Sequence, residues 1–137
     1  MDTILPALTS GLPVLILQFA VTLGLLAIGA AIYGAITPFH ELGLIRQGNT
    51  AAGVVFAGTL VALAIPLAAT LATSLVTLDV VIWGAVALVI QLIAFAAATA
   101  LIRGLRDMIE AGNVAAAWAV VGIQLAVALL NAGAMAG

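Results

Sequence analysis

Hydrophobic and polar positions divide this chain into four long apolar runs joined by three polar stretches. The apolar runs cover about residues 12–36, 51–75, 80–102 and 114–134, and none of them contains a charged residue. A helix of about 20 residues crosses the hydrocarbon core of a bilayer, which is about 30 Å thick. The pattern therefore predicts four transmembrane helices and an all-α, polytopic membrane protein.

Prolines and glycines refine this prediction. Residues 1–11 contain Pro6, Ser10 and Gly11 and predict a short flexible segment. Pro13 is then expected in the first turn of the first span, where its missing N–H removes no hydrogen bond. Pro66 lies inside the second run and predicts a bend there. The beginning of the sequence lacks the positive region of a signal peptide, so we expect the first run to remain as a span.

The first and third polar stretches are diverged copies of one another. Both contain Ile-x-x-Gly-Asn-x-Ala-Ala, at residues 45–52 and 109–116. The chain is therefore predicted to be one membrane domain, residues 1–137, built from two parallel helical-hairpin repeats at about 12–75 and 80–136. Each repeat holds an even number of spans, so the two would be related by an axis along the membrane normal.

The first loop carries helix-capping signals. Thr37 is expected to cap a short helix beginning at Pro38, with Glu41 in its first turn, where the helix dipole favours an anion. Gly48 suits the left-handed residue that ends a helix, and Asn49 suits the N-cap of the next span. One face of this helix is predicted to be apolar, from Phe39, Leu42 and Ile45.

The second loop repeats the stop-and-cap signal with Gly112 and Asn113. Its predicted apolar face consists of Ile102, Leu105 and Ile109. Two pairs of opposite charges are expected four residues apart on its helix, Arg103 with Asp107 and Arg106 with Glu110. Such pairs stabilise a helix by only a few tenths of a kcal/mol.

Composition also points to the bilayer. The chain is 66% hydrophobic and 6% charged, whereas soluble domains carry about 25% charged residues. The chain has too few charged side chains to cover a surface that faces water, so lipid is the expected solvent. The net charge of −2 and the lack of a basic patch argue against a nucleic-acid partner.

The distribution of charge predicts an orientation. There is no lysine, and the three arginines, Arg46, Arg103 and Arg106, all fall in the two repeated loops. By the positive-inside rule these loops face the cytoplasm. Asp2 and Asp79 then lie on the opposite side, and both termini are expected in the periplasm.

The sequence offers little for catalysis. It has no cysteine and a single histidine, His40, so we expect no metal site, no cofactor and no enzyme activity. The spans contain no Asp, Glu, Lys, Arg or His, which argues against a proton-driven exporter. Four amide side chains lie within the spans: Gln18, Gln91, Gln124 and Asn131. They either bond across helix interfaces, or Gln91 and Gln124 line a polar path between subunits.

The loops hold the other candidate residues. They are Glu41, Arg46, Asn49, Arg103, Arg106, Asp107, Glu110 and Asn113. These residues form either a solvated rim or a docking surface for a cytoplasmic protein. For Asn49 and Asn113, helix capping is an adequate explanation.

The doubled loop resembles the DUF350 family of small bacterial inner-membrane proteins. The resemblance rests on Thr37-Pro38 with Glu41, on Gly48-Asn49 before Ala51-Ala52, and on Arg103, Gly112 and Asn113. It implies four spans and an inner-membrane location, and it implies no reaction, substrate or cofactor. Ile102 and Leu105 replace Pro38 and Glu41 in the second copy, so the first loop is the expected carrier of any loop function.

Two functions remain open. One is a non-catalytic scaffold or membrane-anchoring subunit that presents its two cytoplasmic loops to partners, as a homo-oligomer or within a larger membrane complex. The alternative is a channel or passive transporter for a small ion or solute, formed within an oligomer. Fold analogy alone does not choose between them.

Overall fold

The computed structural model describes residues 2–136, and every regular element in that part of the chain is helical. The helices are α1 (Ile4–Ile36), α2 (Glu41–Arg46), α3 (Thr50–Thr73), α4 (Thr77–Leu101), α5 (Leu105–Glu110) and α6 (Val114–Ala136). Four of them, α1, α3, α4 and α6, are long and apolar enough to cross a membrane. The predicted all-α fold with four candidate spans is therefore confirmed.

The first helix differs from its prediction. It begins at Ile4 and runs for 33 residues, so the flexible segment predicted for residues 1–11 is wrong from Ile4 onward. Pro13 lies inside α1 and not in its first turn. Pro6 is close enough to the start that its missing N–H is tolerated. Further along, the Ser10 hydroxyl donates to the Pro6 carbonyl at 2.8 Å. At 1.5 Å per residue α1 is about 50 Å long, more than the thickness of a hydrocarbon core.

The spans pack most extensively where α3 meets α6, with α4 against both. Glycine permits the close approach at this contact, because a Cβ at Gly58 would lie 2.5 Å from Cγ2 of Val121. The first helix is peripheral. It packs on α4 and α3, and only Gly29 and Tyr33 of its residues are buried. Much of its surface is therefore left to lipid or to a neighbouring protein.

Apolar packing is concentrated at the end of the bundle that carries α2 and α5. Tyr33, Phe95, Leu105 and Ile109 belong to the main buried cluster, together with small residues that begin α3 and α6. A second, smaller cluster of Leu63, Leu67 and Leu88 lies nearer the other end. Pro66 lies within the continuous helix α3, and a bend there stays a prediction.

The two Gly-Asn turns adopt the same conformation. Gly48 and Gly112 have φ angles of +80° and +83°, the left-handed region in which glycine ends a helix. The Asn49 side chain then accepts a hydrogen bond from the Ala52 N–H at 3.0 Å, and Asn113 accepts one from Ala116 at 3.1 Å. Both asparagines cap the following span, as predicted. The wider arrangement as two repeats stays a prediction.

The entrance to each loop helix differs from its prediction. The helix α2 begins at Glu41, so Thr37 does not cap it. Thr37 instead ends α1 and its hydroxyl donates to the Tyr33 carbonyl. In the second loop Gly104 takes a φ of +72° directly before α5. Arg103 is therefore not on the same helix as Asp107, and the pairing predicted for them as helical neighbours is wrong.

Candidate functional site

The two polar loops meet at one end of the bundle. The Asn49 side-chain amide donates to the main-chain oxygen of Ile109 at 2.8 Å and to that of Glu110 at 3.3 Å. These oxygens belong to the last residues of α5, where helical carbonyls lack partners within the helix. Asn49 thus caps α3 with its oxygen and joins the second loop with its nitrogen.

Most charged side chains of the loops face outward. Arg46, Arg103, Arg106, Asp107 and Glu110 are all exposed. Arg106 and Glu110 form an ion pair of 3.1 Å, as their spacing predicted. Exposed pairs of this kind add little stability. We call the exposed residues Arg46, Arg103, Arg106, Asp107 and Glu110 the loop platform.

Glu41 behaves differently from the rest of the predicted rim. Its side chain is 6% exposed, so the prediction that it faces water is wrong. It turns inward and accepts a hydrogen bond from the hydroxyl of Tyr33, which is 2% exposed. The Tyr33 ring is held edge-on against Phe95, with 4.6 Å between ring centroids.

Burial changes the acidity of Glu41. Removing a carboxylate from water disfavours its charged form, and this raises the pKa of Glu41 to about 7. The hydrogen bond from Tyr33 favours the charged form and acts in the opposite direction. Burial is the larger effect, so the carboxyl changes its charge near neutral pH.

A cavity of about 320 Å³ lies beside this pair of residues. Tyr33 and Glu41 line it together with the exposed His40 and with Phe56 of α3. The cavity therefore places a buried carboxyl, a phenol and an imidazole around one space at the loop end of the bundle.

The amide side chains form a buried polar line through the middle of the bundle. The Thr59 hydroxyl donates to Oε1 of Gln124 at 2.9 Å. The Gln91 amide donates to the main-chain oxygen of Gln124, and the Asn131 amide donates to Oε1 of Gln91, both at 3.3 Å. The predicted bonding of amides across helix interfaces is thus seen for these residues, in the interior of a single chain. We call Thr59, Gln124, Gln91 and Asn131 the polar line.

The polar line ends at a second cavity. This cavity of about 450 Å³ lies near the α3–α4 turn and is lined by Asn131, Asp79, Trp83 and Thr70. The Tyr33–Glu41 pair lines the cavity at the loop end, and the polar line runs from Thr59 to the cavity at the opposite end. Gln18 is not part of this line. It is half-buried on the peripheral helix α1, beside Leu71.

Sequence reasoning missed the burial of Glu41 and its partner Tyr33. The available signal for that burial was spacing within α2, because Leu44 and Ile45 follow Glu41 by three and four residues. Those positions share one face of a helix. Leu44 and Ile45 both pack on the main cluster, whereas Leu42 is 60% exposed. Of the predicted apolar face, Phe39 is buried and Ile45 packs on the main cluster, and only Leu42 was wrongly assigned, because the helix begins later than expected.

The sequence was also compared with known proteins. Residues 7–135 match the family described as Domain of Unknown Function (DUF350). The chain belongs to the DUF350 family. It is 36% identical over 117 residues to the UPF0719 inner membrane protein YjfL of Escherichia coli (strain K12). The protein of the same name in Escherichia coli O157:H7 matches equally, and in each case the alignment covers 85% of this chain and 89% of the relative.

The part of this DUF350 member that matches the family includes both loops, the polar line and the Tyr33–Glu41 pair. No solved structure matches the chain. Four apolar helices and a relative named as an inner membrane protein together identify a multi-pass protein of the inner membrane.

Proposed function

We propose that this protein is a non-catalytic inner-membrane scaffold whose two loops dock a cytoplasmic protein. The observation that supports this most directly is the 2.8 Å bond from Asn49 to the Ile109 carbonyl, which ties together loops that are 60 residues apart. Joined loops present one surface with a fixed geometry, whereas separate loops would have to be ordered when a partner binds. Less conformational freedom is then lost on association.

The loop platform is suited to steering a soluble partner. Its five side chains are exposed and carry both signs of charge, and charges at the rim of an interface act mainly on association rate and specificity. The proposal places this platform in the cytoplasm and both termini in the periplasm, because all three arginines lie in the loops. The exposed side of α1 is the surface on which a second copy or another membrane subunit would pack.

Charge reversal on the platform tests the scaffold. The double variant Arg103→Glu with Arg106→Glu is compared with Arg103→Lys with Arg106→Lys, which keeps the charge. Proteins crosslinked to each variant in intact cells are quantified by mass spectrometry. We expect a set of soluble proteins that the wild type and the lysine variant share and that the glutamate variant loses. Equal recovery from all three, with equal membrane insertion, would contradict the proposal.

A second candidate is a passive path for a small ion or solute. The observation that favours it is the polar line, which carries buried amides and a hydroxyl through the interior of the bundle to the cavity at Asn131. Polar side chains in the interior of a bundle are typical of transport pathways as well as of structural contacts.

Flux measurements separate the two candidates. Purified protein in liposomes is assayed with a panel of ions and small solutes, alongside Gln91→Leu and the control Gln18→Leu, which lies outside the polar line. A transport path predicts flux that Gln91→Leu lowers and Gln18→Leu preserves. Flux equal to that of empty liposomes for the wild type would argue against a path.

A further inference from the structure

Glu41 is the one charged residue within residues 2–136 that the fold buries. The hydroxyl of Tyr33 is the hydrogen-bond donor to its carboxylate, and this donor is neutral. The ion pair found in the described chain is that of Arg106 with Glu110, so Glu41 has no cationic partner there. A buried carboxylate without a cation is costly, and such a group takes up a proton more readily than an exposed one.

The neighbouring elements supply few other titratable groups. Tyr33 of α1 lies beside Glu41, as does Thr37, which directly follows that helix and does not titrate. His40 precedes Glu41 and lines the same cavity but is exposed, and Arg46 is exposed at the far end of α2. The helix α3 contributes Phe56 to the cavity, and this residue does not titrate. The protonation of Glu41 is therefore governed by burial and by Tyr33.

We propose that the carboxyl of Glu41, held by the Tyr33 hydroxyl beside the loop-end cavity, is a binding site for an exchangeable proton. A hydronium ion of the solvent that reaches the cavity gives up the proton and is left as water, and the proton forms an O–H bond with the carboxylate, whose charge changes from −1 to 0. In the ionised form Glu41 accepts a charge-assisted hydrogen bond from Tyr33. In the protonated form that acceptor is neutral and the bond is weaker. This site is independent of the proposed scaffold role, because it does not involve the loop platform.

The size of the expected effect follows from the acidity of the two states. With a pKa of about 7, about nine in ten Glu41 carboxyls carry a proton at pH 6. For an ordinary glutamate with a pKa of 4.5, the proportion at that pH is about one in thirty. The occupancy at pH 6 is thus roughly thirtyfold higher than that of an exposed carboxyl.

Nuclear magnetic resonance of glutamate labelled with ¹³C at Cδ tests the site directly. The chain contains two glutamates, Glu41 and Glu110, so the full-length protein in lipid nanodiscs should give two signals. The variant Glu110→Gln leaves only the signal of Glu41, so the assignment does not require a substitution in the site. We expect its titration midpoint near pH 7. A midpoint within half a unit of that of a glutamate peptide under the same conditions would overturn the proposal.

The contribution of Tyr33 is tested separately. Tyr33→Phe removes the donor that favours the ionised form, so the Glu41 midpoint should rise further. Thr22→Val is the control, because Thr22 lies in the same helix and its hydroxyl donates to the Gln18 carbonyl, away from Glu41. It should leave the midpoint unchanged. An equal midpoint in Tyr33→Phe and in the wild type would overturn the assignment of Tyr33 to the site.

Discussion

At the scale of single residues, Glu41 shows how a loop position becomes an interior one. Its neighbours in the sequence are polar or exposed, and a hydropathy profile therefore places it in water. Glu41 is buried because it shares one face of α2 with Leu44 and Ile45, and both of these residues pack on the main cluster. The rotation of a six-residue helix depends on where it begins. The first residue of such a short helix is poorly predicted from capping signals alone.

The burial of Glu41 predicts a dependence of stability on pH. Its pKa is about 7 in the folded state against 4.5 for an exposed group, so between these values the folded state binds more protons. The free energy of unfolding should therefore fall as the pH rises from 4.5 to 7, by about 3 kcal/mol in total, and then level off.

The variant Glu41→Gln keeps the shape of the side chain and cannot titrate. The variant should lack the part of the pH dependence that Glu41 causes. Its melting temperature should therefore vary less between pH 4.5 and 7 than that of the wild type. Thermal unfolding in detergent at several pH values measures both proteins. Parallel curves would show that Glu41 does not carry the dependence.

Within residues 2–136, Asn113 only caps a helix, whereas Asn49 caps a helix and also bonds to the opposite loop, so the two residues can be compared. Each accepts a bond from the N–H three residues later, but only Asn49 is seen to donate to the opposite loop. Replacing Asn113 by Ala should lower stability by roughly 0.5–2 kcal/mol. Replacing Asn49 by Ala should cost about 1 kcal/mol more, since the partly buried hydrogen bond to the Ile109 carbonyl is lost as well. Denaturation of the two variants in the same detergent compares them, and equal losses would mean that the bond to Ile109 contributes nothing.

At the scale of helices, the spacing of small residues in the sequence does not show where close packing occurs. Small residues recur four apart in α1, including Gly24 and Gly34, yet a Cβ added at either would meet nothing within 4 Å. Gly29 is the close contact in that helix, because a Cβ there would lie 2.6 Å from Leu88. The rotation of each helix about its axis chooses among several candidate faces, and that rotation depends on all its neighbours together.

Gly58 and Gly122 occupy matching positions after the two Gly-Asn turns and test the packing of α3 on α6. A Cβ at Gly58 would overlap both methyl groups of Val121, which branch close to the backbone and have little freedom to move. Gly58→Ala should therefore destabilise the protein by about 1–3 kcal/mol.

Gly122 faces open space, and Gly122→Ala should be neutral or slightly stabilising, because alanine favours a helix. Unfolding of both variants under identical conditions gives the comparison. A loss of similar size for the two substitutions would show that the α3–α6 contact is not as tight as described.

At the scale of the whole molecule, hydropathy predicted four spans and the doubled motif predicted that both loops lie at one end. Both predictions depend on long stretches of sequence, so a misjudged single residue changes neither of them. The polar line was beyond prediction, because Gln91 of α4 meets Gln124 and Asn131 of α6 only when these two helices are packed side by side. The start of α1 was missed because one proline and one glycine were taken as helix breakers in a segment that tolerates both.

Orientation in the membrane is testable because the chain has no cysteine. Single cysteines at the exposed positions Gln47, Ala111 and Leu75 are treated with a membrane-impermeant maleimide. With both loops in the cytoplasm, Gln47→Cys and Ala111→Cys should be labelled in inverted vesicles and protected in spheroplasts. Leu75→Cys, in the turn between α3 and α4, should show the reverse. Labelling of all three from the same side would contradict the proposed topology.

The extensive contact of α3 with α6 joins the first half of the chain to the second. Covalent continuity between the halves runs only through residues 74–76. A gene divided at that turn should therefore yield two fragments that find each other in the bilayer, since helices inserted independently associate through such interfaces. An affinity tag on one fragment would then retrieve its untagged complement, and the protein would behave as an obligate pair of hairpins even when translated as two polypeptides.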